Sequence, residues 1–329
     1  MISPAAPSGP HLVVLAGGVG GARYLLGARE YARQHGATIT AVVNTGDDAT
    51  MHGLRVCPDL DSIMYTLGGA HDEERGWGQQ GETWTVGTEL AEYDAGPTWF
   101  SLGDKDIATH LVRTQMLDAG YRLTEVTQAL AARWEPGVRL LPMSDDRVET
   151  HVVCTPPDAE HPRALHFQEW WVRYRAGIPT TGFVQVGLDD ARPSADVLDA
   201  IGGADAILLA PSNPVVSIGT ILGLPAIRQA IRQSPAPVIG TSGIIGGAPL
   251  RGMADTCLKV LGIEPTALAV AEYYGARSAD GILDGWLVAP DDGGAIDGIT
   301  IEEAPLLMTD PDTTAEMIRA AVDLADRRR

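Results

Sequence analysis

Ala41–Asp61, AVVNTGDDATMHGLRVCPDLD, decides how the rest of the chain is read. The β-branched run Ala41-Val42-Val43 stops at Asn44-Thr45-Gly46, the pattern of a strand ending in a tight turn. Asp47 and Asp48 follow at once, and Asp59 and Asp61 stand a short loop later. Asp47 and Asp59 are twelve residues apart, so a connecting loop can fold both onto one ion. Hard oxygen ligands with little else in reach suit Mg2+, which is bound through one or two carboxylates and the phosphates of a substrate. Taken singly, each Asp also has an ordinary role, Asp48 in the turn and Asp59 as cap of a helix expected from Leu60. Four carboxylates at one strand end ask for more than that.

Upstream, His11–Ala16 (HLVVLA) reads as a buried strand, Gly17–Gly21 (GGVGG) as a turn, and Ala22–Gln34 as a helix. Strand, glycine-rich turn and helix open an α/β unit whose amides can approach a phosphate at the helix N-terminus. Gly18-Val19-Gly20 is followed by Gly21-Ala22-Arg23, so the third glycine of a dinucleotide fingerprint is missing, and no Lys-Ser/Thr follows to make a P-loop. Close strand–helix packing explains such glycines as well as a ligand does.

Downstream, Leu60–Leu67 reads as a short helix, and residues 71–100, with Trp77, Trp84 and Trp99, as a loop-and-helix excursion. Phe100–Asp104 with Asp106 resembles a second strand end bearing acids, followed by helices over Ile107–Ala119 and Thr124–Trp134. Leu140–Arg147 repeats the apolar run ending in acids, with Asp145 and Asp146 read as turn residues, and His151–Cys154 is the next expected strand. His166–Arg175, HFQEWWVRYR, alternates like an amphipathic strand with an aromatic face, either a cover for the core or a platform for a substrate. The α/β rhythm then resumes with strands at Phe183–Val186, Ala206–Ala210, Pro237–Gly240 and Trp286–Val288. Helices are expected over Ala195–Ile201, Thr220–Gln233, Met253–Leu261 and Thr266–Tyr274. Leu306–Met308 and a helix from Thr314, with Thr313 and Glu316 as a capping box, close the chain. Pro211–Gly219, carrying Ser212, Asn213 and Ser217, lies beyond a strand end, where open α/β sheets bind ligands. Thr241–Gly252, rich in glycine and bearing Gly246, Gly247 and Arg251, reads as a long loop suited to phosphate or base contact.

The 329 residues suffice for a sizeable core, and 45% hydrophobic with 20% charged residues is ordinary for a soluble globular protein. A net charge of −19 speaks against a nucleic-acid or membrane surface and leaves an anionic substrate to be drawn in locally. Cys57, Cys154 and Cys257 are widely separated and form no C-x-x-C pair, as expected of reduced thiols in a cytoplasmic protein. The opening MISPAAPSGPH lacks the basic start and apolar core of a signal peptide, and no run reaches the roughly 18 apolar residues of a membrane span.

In order along the chain, Gly17-Gly18-Val19-Gly20-Gly21, Asn44-Thr45-Gly46-Asp47-Asp48, Leu102-Gly103-Asp104 with Asp106-Ile107-Ala108-Thr109-His110, and Pro142-Met143-Ser144-Asp145 make one constellation. His166–Arg173, Ala210-Pro211-Ser212-Asn213-Pro214 and Ile244-Ile245-Gly246-Gly247 complete it. Together they resemble the 2-phospho-L-lactate transferases of coenzyme F-420 biosynthesis (CofD-like proteins), over nearly the whole chain from His11 to Thr309. The RVCPDLDSIMYTLGG and RGW stretches resemble the actinobacterial branch, and Ser242-Gly243 departs from the Ser-Pro usual before Ile-Ile-Gly.

The resemblance implies a Rossmann-like, doubly wound, mostly parallel α/β sheet in one domain, with residues 71–180 as an inserted region that binds the deazaflavin FO. It implies a donor of guanosine diphosphate carrying phosphoenolpyruvate (enolpyruvyl-diphospho-guanosine) or 2-phospholactate (lactyl-2-diphospho-guanosine). The terminal ribityl hydroxyl of FO attacks the acid-bearing phosphorus, GMP leaves, and the usual form is a homodimer. On this reading Asp47 and Asp59 hold Mg2+, and Asp48 or Asp61 accepts the proton, with His110 and His166 as alternatives. The Gly17–Gly21 amides cradle the leaving phosphate beside Asn44. Ser212, Asn213, Ser217 and the Ile244–Arg251 loop hold guanosine, while Trp84, Trp170 and Trp171 are candidates for the FO slot. Two rival readings stand beside it. A nicotinamide dehydrogenase would need an acid closing the second strand, where Asn44 stands, and a UDP-sugar-binding regulator of the related family would not require the His166–Arg173 segment with Asp104 and Asp106.

Overall fold

Alternation sets the sheet. In β1 (His11–Ala16), Val13 and Leu15 enter one apolar cluster while Leu12, Val14 and Ala16 enter another. β2 (Thr38–Val43) divides likewise, Val42 to one side and Ile39, Ala41 and Val43 to the other. A strand buried on both faces belongs inside a parallel sheet covered by helices on both sides. The computed structural model, which describes residues 9–328, contains such a sheet, of seven strands. The others are β3 (Arg139–Pro142), β4 (Ala206–Leu209), β5 (Val238–Thr241), β6 (Gly285–Val288) and β7 (Thr300–Glu303). All pairings are parallel, in the order β7-β6-β5-β4-β1-β2-β3. The chain builds outward from β1 to β3 and then crosses to β4 on β1's other side. The carboxyl ends of β1 and β4 therefore flank the switch point, the place where such sheets bind ligands.

Helices start and stop where local chemistry dictates. α1 (Gly18–His35) begins four residues before the expected Ala22, so the glycine-rich turn is the helix's own first turn. α2 (Pro58–Leu67) begins with proline at its first position, where a missing N–H costs nothing. The expected helix over Thr220–Gln233 is two, Ile218–Gly223 and Pro225–Gln233, because Pro225 cannot continue the first. The last helix, Pro311–Asp326, is capped by Asp310, which accepts from the Thr313 amide at 2.8 Å; Thr313 and Glu316 are not its capping box. The edge strand β7 escapes notice in the sequence because it is short, acidic and only half-buried, and Leu306–Met308 is not a strand. Thr241–Gly252 is not structureless. Ile244–Ile245 pairs with Ala248–Pro249 through Gly246 and Gly247, both at positive φ, as a two-residue hairpin turn demands.

Residues 71–180 do not form one insertion, because β3 passes through them as part of the central sheet. Before β3 come α3 (Thr85–Glu92), α4 (Asp104–Asp118) and α5 (Leu123–Ala132). After it comes an antiparallel sheet of Glu149–Cys154, Arg163–His166 and Thr180–Val186. Phe100–Asp104 is no strand end. Gly103 caps α4, and the Asp104 carboxylate accepts from the Thr83 hydroxyl and the Thr85 and Val86 amides at 2.7–3.1 Å, fixing the start of α3.

The aromatic segment is not an alternating strand either, since Glu169–Arg173 forms a π-helical turn. Phe167 and Trp170, three apart, would face opposite ways in a strand; the helical path brings their rings to 5.8 Å on the core side. Trp170 is fully buried, with Nε1 donating to Thr180 Oγ1 at 2.9 Å and Phe183 at its edge. Trp170→Ala is thus expected to cost about 3–5 kcal/mol of stability in urea unfolding. A loss confined to ligand affinity, with unfolding unchanged, would refute that placement. Among the described residues no helix is long and apolar enough to cross a membrane; Met1–Ser8, the start of the stretch read for a signal peptide, lies outside them.

Candidate active site at the carboxyl end of the sheet

Three chain segments meet where β1, β2 and β4 end. The Ser212 hydroxyl donates to the Gly17 carbonyl at 2.7 Å and accepts from the Gly17 amide at 3.0 Å, tying the ends of β1 and β4 together. A Cβ on Gly17 would lie 2.7 Å from Asp59 Oδ2 and 2.8 Å from Ser217 Cβ, and one on Gly20 would lie 2.7 Å from the Pro211 carbonyl oxygen. Gly21 is equally confined, its Cβ position being 2.9 Å from Ser212 Oγ. These glycines are therefore required by close packing, while the first-turn amides of α1 stay at an anion-favouring helix terminus. Gly17→Ala should disrupt the acid site while sparing the sheet; an unchanged affinity for GDP would contradict this.

Asn44, expected at a ligand, is wholly buried and works on the protein itself. Its Oδ1 accepts from the Gly46 amide and its Nδ2 donates to Asp59 Oδ2, both at 2.9 Å. Asp59 is the second residue of α2 and does not cap that helix, whose start no side chain bonds; its carboxylate instead accepts from the Gly18 backbone at the start of α1. Burial pushes the Asp59 carboxyl up to about 6 against the pull of Asn44. Asp47 is pushed well above the carboxylate range, first by burial and then by Asp59's charge. Its Oδ1 is buried with no hydrogen-bond partner.

The other two acids are neutralised differently. Asp48 Oδ2 faces the Arg55 guanidinium at 3.0 Å and accepts from the Cys57 thiol at 3.0 Å, leaving Oδ1 without a partner. Burial still lifts it to about 6, with Arg55 opposing. Asp61 is clamped by both terminal nitrogens of Arg113, with His110 Nδ1 3.6 Å away. That bidentate clamp removes Asp61 from the set of proton acceptors. Burial pushes His110 down to about 4, and its Nδ1 accepts from Arg113 Nη1 at 3.0 Å, so it too is structural. His166 is spent as well, with Nε2 donating to the Asp48 carbonyl at 3.0 Å while Nδ1 accepts from the Gln168 amide at 3.1 Å.

The remaining candidates separate. Ser212 and Ser217 are buried against Gly17, and Asn213 Oδ1 accepts from the Val215 and Val216 amides at 2.9 and 3.2 Å, so it shapes its own turn. Gly246 donates to Asp292 Oδ2 at 2.8 Å on the hairpin, and Arg251 is exposed beyond it. Trp84 stacks edge-on with Trp77, their ring centroids 5.7 Å apart, and the Arg75 guanidinium lies 5.0 Å from each ring. That cluster is half-open to solvent, and Trp170 is not. Arg55 and Arg113 were not singled out in the sequence; the one signal for Arg113 is its position a helical turn beyond His110.

No three His, Cys, Asp or Glu residues among the described ones are grouped to hold a metal. Two carboxylates that repel one another, one with an orphaned buried oxygen, still fit a cation that takes its other ligands from a diphosphate and water. A cavity of about 430 Å³ opens beside Arg139 at the start of β3, at the opposite end of the strands from these acids.

Residues 12–321 match the family model described as 2-phospho-L-lactate transferase CofD. A phosphoenolpyruvate transferase of Nocardia farcinica (strain IFM 10152) is 61% identical over 327 residues, covering 98% of this chain and 97% of that one. The phosphoenolpyruvate transferase of Mycolicibacterium smegmatis is 59% identical over 323 residues, covering 95% and 98%. A crystal structure of a UPF0052 family protein from Bacillus halodurans superposes with a TM-score of 0.61 at 17% identity, covering 95% of this chain and 99% of that one, which is a likeness of fold.

Proposed function

The chain belongs to the 2-phospho-L-lactate transferase CofD family, and from that premise we propose the reaction its site performs. It is a transferase of coenzyme F-420 biosynthesis. The group moved is phosphoenolpyruvyl, in keeping with the names of its relatives, from enolpyruvyl-diphospho-guanosine to the terminal ribityl hydroxyl of FO. The hydroxyl oxygen forms a bond to the acid-bearing phosphorus, the phosphoanhydride bond breaks, and GMP leaves with the bridging oxygen.

The observation that carries this reading is Asp47, buried at the switch point beside Asp59 with one oxygen unsatisfied. Asp47 and Asp59 would hold Mg2+. When bound, it would neutralise the diphosphate and make the attacking hydroxyl more acidic. Asn44 keeps Asp59 aimed through its 2.9 Å bond, and His166 holds the Asp48 backbone. Asp48 Oδ1 is the proton acceptor in this scheme, since the other oxygen is held by Arg55 and Cys57. First-turn amides of α1 receive the charge that develops on the leaving phosphate. The half-open Trp77 and Trp84 pair offers FO the flat face that Trp170 cannot. The protein would work as a cytoplasmic homodimer, with neither nucleic acid nor membrane as partner.

The test is fluorescence titration with FO, with and without Mg2+ and GDP, followed by product mass after adding the donor. Saturable FO binding tightened by GDP, and a product heavier than FO by the phosphoenolpyruvyl group, are expected. Binding of a UDP-sugar without FO would transfer the chain to the regulators.

A further inference from the structure

Between α1 and α2 a small hollow of about 90 Å³ opens, lined by Val19, Arg23, Thr66, His71, Glu73 and Gln80 among others. It has room for about three waters, enough for a carboxylate and too little for a purine or a deazaflavin ring. Its basic groups lack the partners that such groups usually have. Arg23 makes no hydrogen bond or ion pair among the described residues. His71 Nδ1 is buried without a hydrogen-bond partner. Burial comes first in holding the proton affinity of His71 down, followed by the charge of Arg23, with Asp72 and Glu73 opposing and the exposed Arg251 adding a smaller push in the same direction as Arg23. The one acid on the lining, Glu73, is exposed at the rim and forms no ion pair with Arg23. In a chain of net charge −19, basic groups left unpaired at one spot are a receptor for an anion supplied from outside.

Arg23 stands five residues beyond Gly18, so its Cα is roughly 7.5 Å along the axis from the start of α1. Helical side chains lean toward the N-terminus, which directs the guanidinium back toward the amides that face the diphosphate. The hollow shares Val19 of the first turn of α1 with those amides, so an anion bound in it would neighbour a diphosphate held there. We propose that Arg23 and His71, with Arg251 beside them, bind the carboxylate of the transferred acid and so select a phosphorylated 2-hydroxy- or enol-acid over a simple phosphate ester. A guanidinium fork matches a planar carboxylate with two parallel bonds, which a phosphate cradle of amides does not supply. The inference rests on the transferase reading above and specifies which part of the acid the protein recognises.

The intact protein, with saturating GMP and Mg2+, is titrated calorimetrically with phosphoglycolate, which carries both phosphate and carboxylate, and with ethyl phosphate, which carries only phosphate. FO and GDP binding are measured alongside. Wild type is expected to favour phosphoglycolate at least tenfold, and Arg23→Gln to lose that preference while holding ethyl phosphate and GDP as before. His71→Asn should reduce the preference less. Equal affinity for both probes in a wild type that binds FO and GDP overturns the carboxylate site alone. A preference retained in Arg23→Gln, or an equal loss for both probes, overturns it too. A wild type that binds neither FO nor GDP removes the transferase reading and this subsite with it.

Discussion

Asp47→Asn is expected to lower turnover by about a thousandfold, roughly 4 kcal/mol of transition-state stabilisation, and to leave the fold intact. The substitution preserves volume and removes only the charge, and the oxygen it neutralises has no protein partner to lose. The same change has an opposite effect on stability, with a sign that follows from the shifted proton affinities. Asp59 is lifted to about 6 and Asp47 higher, both first by burial, so the folded chain holds these protons more tightly than the unfolded chain does. Their contribution to stability is complete below the ordinary carboxylate value of 3.8 and fades as pH rises through about 6 and beyond. In chelator, Asp47→Asn and wild type should therefore melt together near pH 4, with the variant melting higher by pH 8. Added Mg2+ should then raise the wild-type midpoint and not the variant's. Near-normal turnover in the variant, or a melting difference that shrinks as pH rises, would sink the assignment.

That pair of acids was legible in the sequence because its cues are local. A β-branched run, an Asn-Thr-Gly turn and a Pro-Asp helix start place Asp47 and Asp59 within a dozen residues, and the chain needs only one loop to join them. The positions of the buried strands were legible for a similar reason, since a short continuous apolar run such as His11–Ala16 or Ala206–Ala210 declares both faces covered, whereas their order across the sheet was not. What failed depended on contacts that sequence distance conceals. Asp61 looks like its neighbours until Arg113, 52 residues away, closes on it from α4. Trp170 and Phe167 share a face only because the backbone coils there, and a ten-residue alternation reads the same stretch as extended. Asn44 looked like a ligand contact because strand ends bind ligands, yet its partner is Asp59, which belongs to the next helix.

Arg113 carries a structural effect as large as any expected in the molecule. It is 2% exposed and donates through Nη1 and Nη2 to Asp61, through Nη1 to His110 Nδ1 at 3.0 Å, and to the Arg55 carbonyl at 3.3 Å. Removing it leaves Asp61, itself 5% exposed, charged and unpaired, which costs about 3–5 kcal/mol. Arg113→Met should therefore shift the urea midpoint strongly, and a protein this size has little reserve beyond such a loss. The double variant Arg113→Met with Asp61→Leu should recover much of it, because a buried ion pair removed as a whole costs far less than one broken. The contrast also decides what Asp61 is for. If the pair is a clamp holding α4 on α2, and hence Asp59 in place, the double variant regains transfer along with stability. If instead it folds but stays inactive while Asp48→Asn remains active, Asp61 is the proton acceptor after all, and the division of the four acids into a metal pair, a base and a clamp is wrong.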